Sequence, residues 1–418
     1  MIKRKWIILL TVSALAIFYC YVLINTNAII VPSVTKLIPS LKADNVTEEG
    51  EKHIDKSLLK QVPEVCQVVF IKVHKAAGST VQNILTRFAM ARDLDLLLPI
   101  IGPTINEGGP FIDPEKVIHH PEGKLFDILS SHLVYNKQQL AKYFPESAMR
   151  VTIIREPMKH AISALRFYSL VYPQKNYLAG VSKHPDDPIG GFLLHPEDFF
   201  PGSKRVCAEP NSYITNRMSF DLGFDTHSFT SSKTNRTKMQ VFLNQIERDF
   251  DIVLISDYFD ESMVLLRRLL GWKIQDIIYL KINSAQIKQH SVWARVPELN
   301  STAFLKFRHC NKLDYELYEY FLPAFIDKTN KQPYFKEEVT FFKKVQKQVG
   351  DFCSQAKINE TFEVSKSEWT DQFSVSYDDC KLMKATEIGL MQTARRMQLK
   401  RYEEIIKNSQ NSTTVPSS

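Results

Sequence analysis

The clearest chemistry in this sequence lies where the apolar run Val68-Val69-Phe70-Ile71-Lys72-Val73 gives way to His74-Lys75-Ala76-Ala77-Gly78-Ser79-Thr80 and then to a helical pattern through Arg87. A strand that turns through small residues into a helix aims free backbone N–H groups and the positive end of the helix dipole at one point. Proteins hold phosphate-like anions in this way. Ala76, Ala77 and Gly78 allow close approach, Lys75 adds a mobile point charge, and the Ser79 and Thr80 hydroxyls add donors. The triphosphate loop GxxxxGK[ST] needs Lys after its last Gly. Here Lys75 precedes the only Gly of the segment, which counts against triphosphate chemistry.

A second anchor follows in Val151-Thr152-Ile153-Ile154-Arg155-Glu156-Pro157, a buried strand that ends in Arg, with Pro suited to the first turn of the next helix. Ser163 falls about two turns into that helix and could share an anion with Arg155. Each anchor alone has a plainer reading, an ordinary surface loop for the first and a surface ion pair with Glu156 for the second. Together, two anion sites at the ends of two parallel strands suit a nucleotide that carries phosphates at both ends.

Other groupings compete. Asp93-Leu94-Asp95 is a DxD that could hold a metal in a type II glycosyltransferase, but it lies in a leucine-rich stretch and the spacing arises easily by chance. Asp257, after the apolar run Ile252 to Ile255, could serve a nucleotide kinase, against which the loop argues. A degraded loop in a membrane-bound lectin is the reading outside enzymes.

The elements that must position these residues fit an α/β protein. Short apolar runs at Val68 to Val73, Leu125 to Leu129, Val151 to Ile154 and Ile252 to Ile255 alternate with helical patterns, which predicts a central parallel sheet flanked by helices. Helices are expected from Asp260 to Leu270, Lys336 to Phe352 and Ala385 to Ile406. The Pro-, Gly- and His-rich stretch from Pro173 to Gly202 reads as a long irregular excursion.

With 418 residues and 44% hydrophobic content the chain can build a full core. Its net charge of +7 is spread along the chain, so a small anion is favoured and nucleic acid is not called for. Lys3, Arg4 and Lys5 precede an uncharged run from Trp6 to Ile24, close to the roughly 20 residues that cross a bilayer. This predicts a cytoplasmic tail at 1–5, a signal-anchor at 6–24, a luminal stem at 25–63, a catalytic domain at 64–407 that turns helical from about 325, and a frayed tail at 408–418. Sequons at Asn45, Asn235, Asn300, Asn359 and Asn411 agree with a luminal location. Beyond Cys20 in the span, Cys66, Cys207, Cys310, Cys353 and Cys380 face an oxidising compartment, and their odd number leaves one without an intramolecular partner.

These residues resemble the Golgi carbohydrate sulfotransferases, and within them the galactose 3-O-sulfotransferase family. The resemblance rests on the Lys-x-His-Lys loop at Lys72 to Thr80, on Arg155, Pro157 and Ser163, and on Ser219-Phe220-Asp221-Leu222-Gly223-Phe224-Asp225. It continues through Tyr258-Phe259-Asp260-Glu261-Ser262 and Tyr279-Leu280-Lys281-Ile282-Asn283, and weakens beyond about Phe325. Ala76-Ala77-Gly78 departs from the Thr, Ala and Ser common there. The resemblance implies a P-loop-like sulfotransferase fold, PAPS (3′-phosphoadenosine 5′-phosphosulfate) as sulfonate donor with no metal, and a galactose-terminated glycolipid or glycan as acceptor. It implies a single-pass type II protein of the Golgi membrane, and it leaves self-association open. For donor binding it points to Lys72, Lys75, Ala76, Ala77, Gly78, Ser79, Thr80, Arg155 and Ser163. For catalysis it points to His132 as the base, with Lys75 on the transferring group and His74 as a secondary proton-handling group. His132 stands just past a predicted strand, where the residues alone would also suit a capping histidine.

Overall fold

The computed structural model describes residues 62–200, 212–226, 233–280 and 291–412. The expected span, most of the stem, Cys207 and the segment Lys281 to Asn283 lie outside the described residues. Among the described residues no helix is long and apolar enough to cross a membrane.

Four strands form a parallel sheet in the order β3-β1-β5-β6, from β1 (Val68–Ile71), β3 (Ile128–Leu129), β5 (Met149–Ile154) and β6 (Ile252–Ile255). Val68 pairs with Ile128, Phe70 with Val151, and Val151 with Ile252. All four residues of β1 and of β6 are buried, as expected for strands covered on both faces. A parallel pair beside the sheet joins β2 (Thr104–Asn106) to β4 (His132–Leu133), and an antiparallel hairpin joins β7 (Thr361–Val364) to β8 (Phe373–Ser376).

The helices that matter for the site are α1 (Gly78–Ala91), α2 (Pro157–Arg166), α3 (Arg217–Asp221), α4 (Phe259–Leu270), α5 (Lys312–Asn330), α6 (Phe335–Gln355), α7 (Tyr377–Lys384) and α8 (Glu387–Ser412). Val81, Ile84, Leu85 and Phe88 of α1 recur at helical spacing and are buried, and Phe88 stacks on Trp272 at 3.6 Å. α8 lies along α1. There Gln398, fully buried, accepts from the Leu96 N–H at 2.9 Å and donates to the Leu96 carbonyl at 3.0 Å. A disulfide joins Cys353 at the end of α6 to Cys380 in α7, Cys310 is also disulfide-bonded, and Cys66 is a free thiol.

Several expected boundaries are corrected. β1 stops at Ile71, because Lys72 and Val73 already belong to the turn, and the run from Leu125 yields only the two paired residues of β3. The stretch expected to be irregular is, in its described part from Pro173 to Phe200, largely helical, with helices at Lys175–Lys183 and Pro188–Leu194 and a short 3-10 turn at Pro196–Phe199. Asp187 caps the second of these through the Gly190 N–H, and Ile189, Phe192, Leu193 and Phe199 bury themselves in a second apolar cluster with Phe307 and Tyr315. Tertiary burial overrides the Pro and Gly signals there. The helical C-terminal part begins at Ser301 rather than near 325 and contains the β7–β8 hairpin. α8 runs to Ser412, a few residues into the tail expected at 408–418; Leu390, Met391, Ala394 and Tyr402 hold its first part against the core, and the described side chains after Tyr402 are mostly exposed.

Candidate active site

β1 runs through residues 72–77 into α1, and β5 runs through Arg155 and Glu156 into α2. The chain leaves β1 towards β3 on one side and leaves β5 towards β6 on the other. The crevice between the ends of β1 and β5 is therefore where connections diverge, the place where open α/β sheets bind ligands.

The loop is fixed by neighbours on several sides. Lys75 and Ala77 have φ of 55° and 66°, left-handed conformations that cost energy for residues with a Cβ. Three carbonyls of the loop are held by side chains. Lys72 O accepts from His132 Nδ1 at 3.1 Å, His74 O from His160 Nε2 at 2.8 Å, and Lys75 O from Arg155 at 3.1 Å. At Gly78 a Cβ would stand 2.7 Å from Lys72 Cγ and 3.1 Å from the Val73 carbonyl, so the stem of Lys72 requires this glycine.

One half of the site is cationic. The Lys75 ammonium lies 3.9 Å from the centre of the Phe167 ring, and burial, then Arg155 and Lys72, bring it down to about 8. Burial also lowers Arg155. α1 begins at Ala77 without a side-chain cap and with no acid in its first turn, so its Gly78 and Ser79 N–H groups need partners from outside the helix. Lys72 is buried, donates to Gln82 Oε1 at 2.6 Å and pairs with Glu387 at 2.5 Å. Ser79 Oγ donates to the other oxygen of Glu387 at 3.0 Å. Ala76 is fully buried, Ala77 and Thr80 are half-buried, and Ser163 is a half-buried residue of α2 whose hydroxyl forms no hydrogen bond with the described protein.

The other half pairs imidazoles with carboxylates. His74 and His132 stack at 4.1 Å between ring centres. Asp221 Oδ2 accepts from the His74 backbone N–H at 2.9 Å and from Nδ1 at 2.8 Å. Its other oxygen meets Arg217 at 2.8 Å, with both side chains buried. Burial pushes the Asp221 carboxyl up, but Arg217 and His74 outweigh it and hold the group below its ordinary value. Glu107 Oε1 stands 3.8 Å from His74 Nε2. His74 foremost, against burial and with help from Thr104 and Tyr213, brings the Glu107 carboxyl down to about 2. His132 is held well below the ordinary imidazole value by burial and then by Lys72, His74 and Arg217, so it is neutral. Its Nδ1–H faces the Lys72 carbonyl, which leaves Nε2 as the acceptor.

The structure thus brings Lys72, His74, Lys75, His132 and Arg155 around one loop, and places Ser163 on the helix that follows Arg155. Asp221, Glu107 and Glu387 escaped the sequence reading. Asp221 lies inside the Ser219 to Asp225 motif, whose architecture is now plain. Asp314, fully buried on α5, accepts from the N–H groups of Met218 and Ser219 and from the Ser219 hydroxyl, which sets α3 so that Asp221 meets His74. Glu107 follows a Gly- and Pro-bearing stretch, and Glu387 sits in an unremarkable polar helix start, so neither carried a local signal.

The competing acids are engaged elsewhere. Asp95 pairs with Arg401 at 2.8 Å and with His120 at 3.5 Å, and Asp93 lies 3.6 Å from the same Arg401. Asp257 accepts from the Glu156 N–H at 2.8 Å and from Lys159 at 2.7 Å.

Comparison with known proteins agrees with the site. The galactose-3-O-sulfotransferase family profile matches residues 1–361. Galactose-3-O-sulfotransferase 3 of Homo sapiens is 32% identical over 266 residues, covering 63% of this chain and 57% of that protein. Galactose-3-O-sulfotransferase 2 of Mus musculus is 31% identical over 290 residues, covering 66% and 67%. Galactosylceramide sulfotransferase of Homo sapiens is 29% identical over 262 residues, covering 62% and 56%. The matched region spans little more than half the length of the first of these relatives. The profile and the loop, Arg155 and Asp221 motifs converge: the chain belongs to the galactose-3-O-sulfotransferase family.

Proposed function

We propose that the chain is a PAPS-dependent sulfotransferase that moves a sulfonate to the 3-hydroxyl of a terminal β-galactose. The acceptor is a glycolipid of the galactosylceramide type or a glycoprotein glycan. The reading includes a P-loop-like sulfotransferase fold and a type II protein whose catalytic domain faces the Golgi lumen. One observation carries it. At the divergence of the sheet, a cation pair, Lys75 and Arg155, stands beside an imidazole that is buttressed by a buried carboxylate.

The residues fit this donor. Lys75, the uncapped start of α1 and the Thr80 hydroxyl suit the phosphosulfate, while Arg155 and the unpartnered Ser163 hydroxyl suit the 3′-phosphate. Bound PAPS would supply an activated sulfonate on a phosphate leaving group. Attack by an alcohol then needs a base, charge neutralisation on the leaving oxygen, and alignment.

His74 is the member of the stacked pair placed to act as the base, since Asp221 accepts from its Nδ1–H, leaves Nε2 to take the hydroxyl proton, and stands against the imidazolium so formed. Glu107 stands on the Nε2 side and adds a second negative charge for that cation. His132 stays neutral, and its bare Nε2 orients the hydroxyl. Lys75 neutralises the charge left on the phosphate. This reverses the order of the two histidines expected from the sequence, because a carboxylate partner outweighs position at a strand end.

Purified Lys75→Ala and Arg155→Ala proteins test the donor site. Both should bind adenosine 3′,5′-bisphosphate (PAP), the spent donor, far more weakly and lose turnover with PAPS. Wild-type turnover in either would sink the assignment.

A further inference from the structure

The cation at the root of the loop is balanced by a carboxylate from outside the family-matched region. Lys72 is buried, and its charge partner in the structure is Glu387, the first residue of α8, which lies beyond the match at residues 1–361. The same carboxylate accepts from Ser79 in the first turn of α1, a helix start with no cap and no acid of its own. Both Glu387 oxygens are therefore spent on two residues of the anion loop, at the end of a helix that attracts negative charge. The carboxylate also works against the depression of Lys75 by burial and then by its cationic neighbours.

The segment that carries Glu387 is firmly seated. Cys353–Cys380 anchors it before the carboxylate, Asn83 donates to the Leu382 carbonyl at 3.0 Å, and Gln398 locks α8 to Leu96 after it. Departure of α8 would break the Gln398 contacts with Leu96, whereas a turn of one glutamate side chain, part of which is solvent-exposed, leaves them and the two anchors before it intact.

We infer that Glu387 is a built-in anion that occupies part of the donor site and is displaced when the donor binds. This rests on the donor reading above. In the empty protein the glutamate satisfies Lys72 and Ser79, and the incoming phosphosulfate takes over those contacts as the side chain swings out. The C-terminal segment then sets donor affinity without touching the acceptor. A buried cation left without a partner is costly, which is why the empty loop holds a stand-in.

The test uses the purified full chain as wild type, Glu387→Gln and Glu387→Gln/Lys72→Met, with PAP and inorganic pyrophosphate as probes in titrations and thermal shifts. The expected result is roughly tenfold tighter binding of both probes by Glu387→Gln, a factor typical of removing one competing charge contact. The ligand-free variant should melt below wild type, because Lys72 loses its partner. Adding Lys72→Met should abolish the gain. Unchanged or weaker binding of both probes by Glu387→Gln would overturn the inference and mark the glutamate as a positioning residue for Lys72. A gain for pyrophosphate with no PAP binding in any protein would instead overturn the nucleotide reading and leave the displaced carboxylate standing.

Discussion

The two halves of the site treat charge in opposite ways. Around His74, carboxylates are supplied in excess: Asp221 touches Nδ1, Glu107 faces Nε2, and Arg217 and Asp314 hold the arrangement in place. Among the described residues neither Lys75 nor Arg155 forms a direct ion pair: Lys75 rests on a Phe ring, the Arg155 fork meets a carbonyl, and the carboxylate that reaches Lys72 and Ser79 comes from the C-terminal segment. A region rich in anions beside imidazoles stabilises a proton in transit. A region short of anions beside cations waits for one. Proton handling and anion handling are thus separated by the width of one loop, with His74 on one side of it and Lys75 on the other.

Substitutions can break this contrast, and they rank by expected effect. His74→Ala should cost turnover roughly 10²–10⁴-fold with PAP binding preserved, as the loss of a positioned general base does. Asp221→Asn should lower kcat by roughly 10² and alter the acidic limb of the pH–rate profile. The change in profile separates orientation of His74 from mere destabilisation, and isothermal titration with PAP checks that the site remains formed. On the cationic side, Arg155→Ala should raise the PAP Kd roughly 30-fold or more, in line with the ~2–5 kcal/mol lost when one partner of a buried charge contact is removed.

His132→Ala should cost turnover only about tenfold, because the neutral ring orients without taking the proton. A larger loss for His132→Ala than for His74→Ala would return the base role to His132. The smallest effect is on pH dependence. Lys75 titrates at about 8, depressed by burial and then by its cationic neighbours. Since an anion binds the ammonium form, PAP affinity should fall as pH rises through that value, and the fall should vanish in Lys75→Met.

The anionic half was the less legible of the two in the sequence. The strands β1 and β6 show as unbroken apolar runs and β5 as a largely apolar one, and Lys75 and Arg155 follow β1 and β5, where one-dimensional order and position in the sheet coincide. Asp221 reaches His74 across 147 positions, and Glu387 reaches Ser79 across 308. Nothing local in Arg217–Asp221 or at the start of α8 signals such contacts. The role of Gly78 was also hidden, because a glycine that makes room for Lys72 looks the same in sequence as one that makes room for a ligand. The helices at Lys175–Lys183 and Pro188–Leu194 are not legible in the sequence because Asp187 and Pro188, which open the second, are also common loop residues, and the burial of Ile189 and Phe192 that favours a helix is a tertiary effect.

The most direct test of the donor and reaction together is incubation of the purified chain with 35S-labelled PAPS and, in parallel, with labelled sugar nucleotides. Galactosylceramide, N-acetyllactosamine and core-1 glycans serve as acceptors. The account predicts label from PAPS on the 3-hydroxyl of a terminal galactose in at least one of the three, abolished in Lys75→Ala, and none from the sugar nucleotides. Transfer of a labelled sugar, or no sulfonate transfer to any galactose-terminated acceptor, would contradict it.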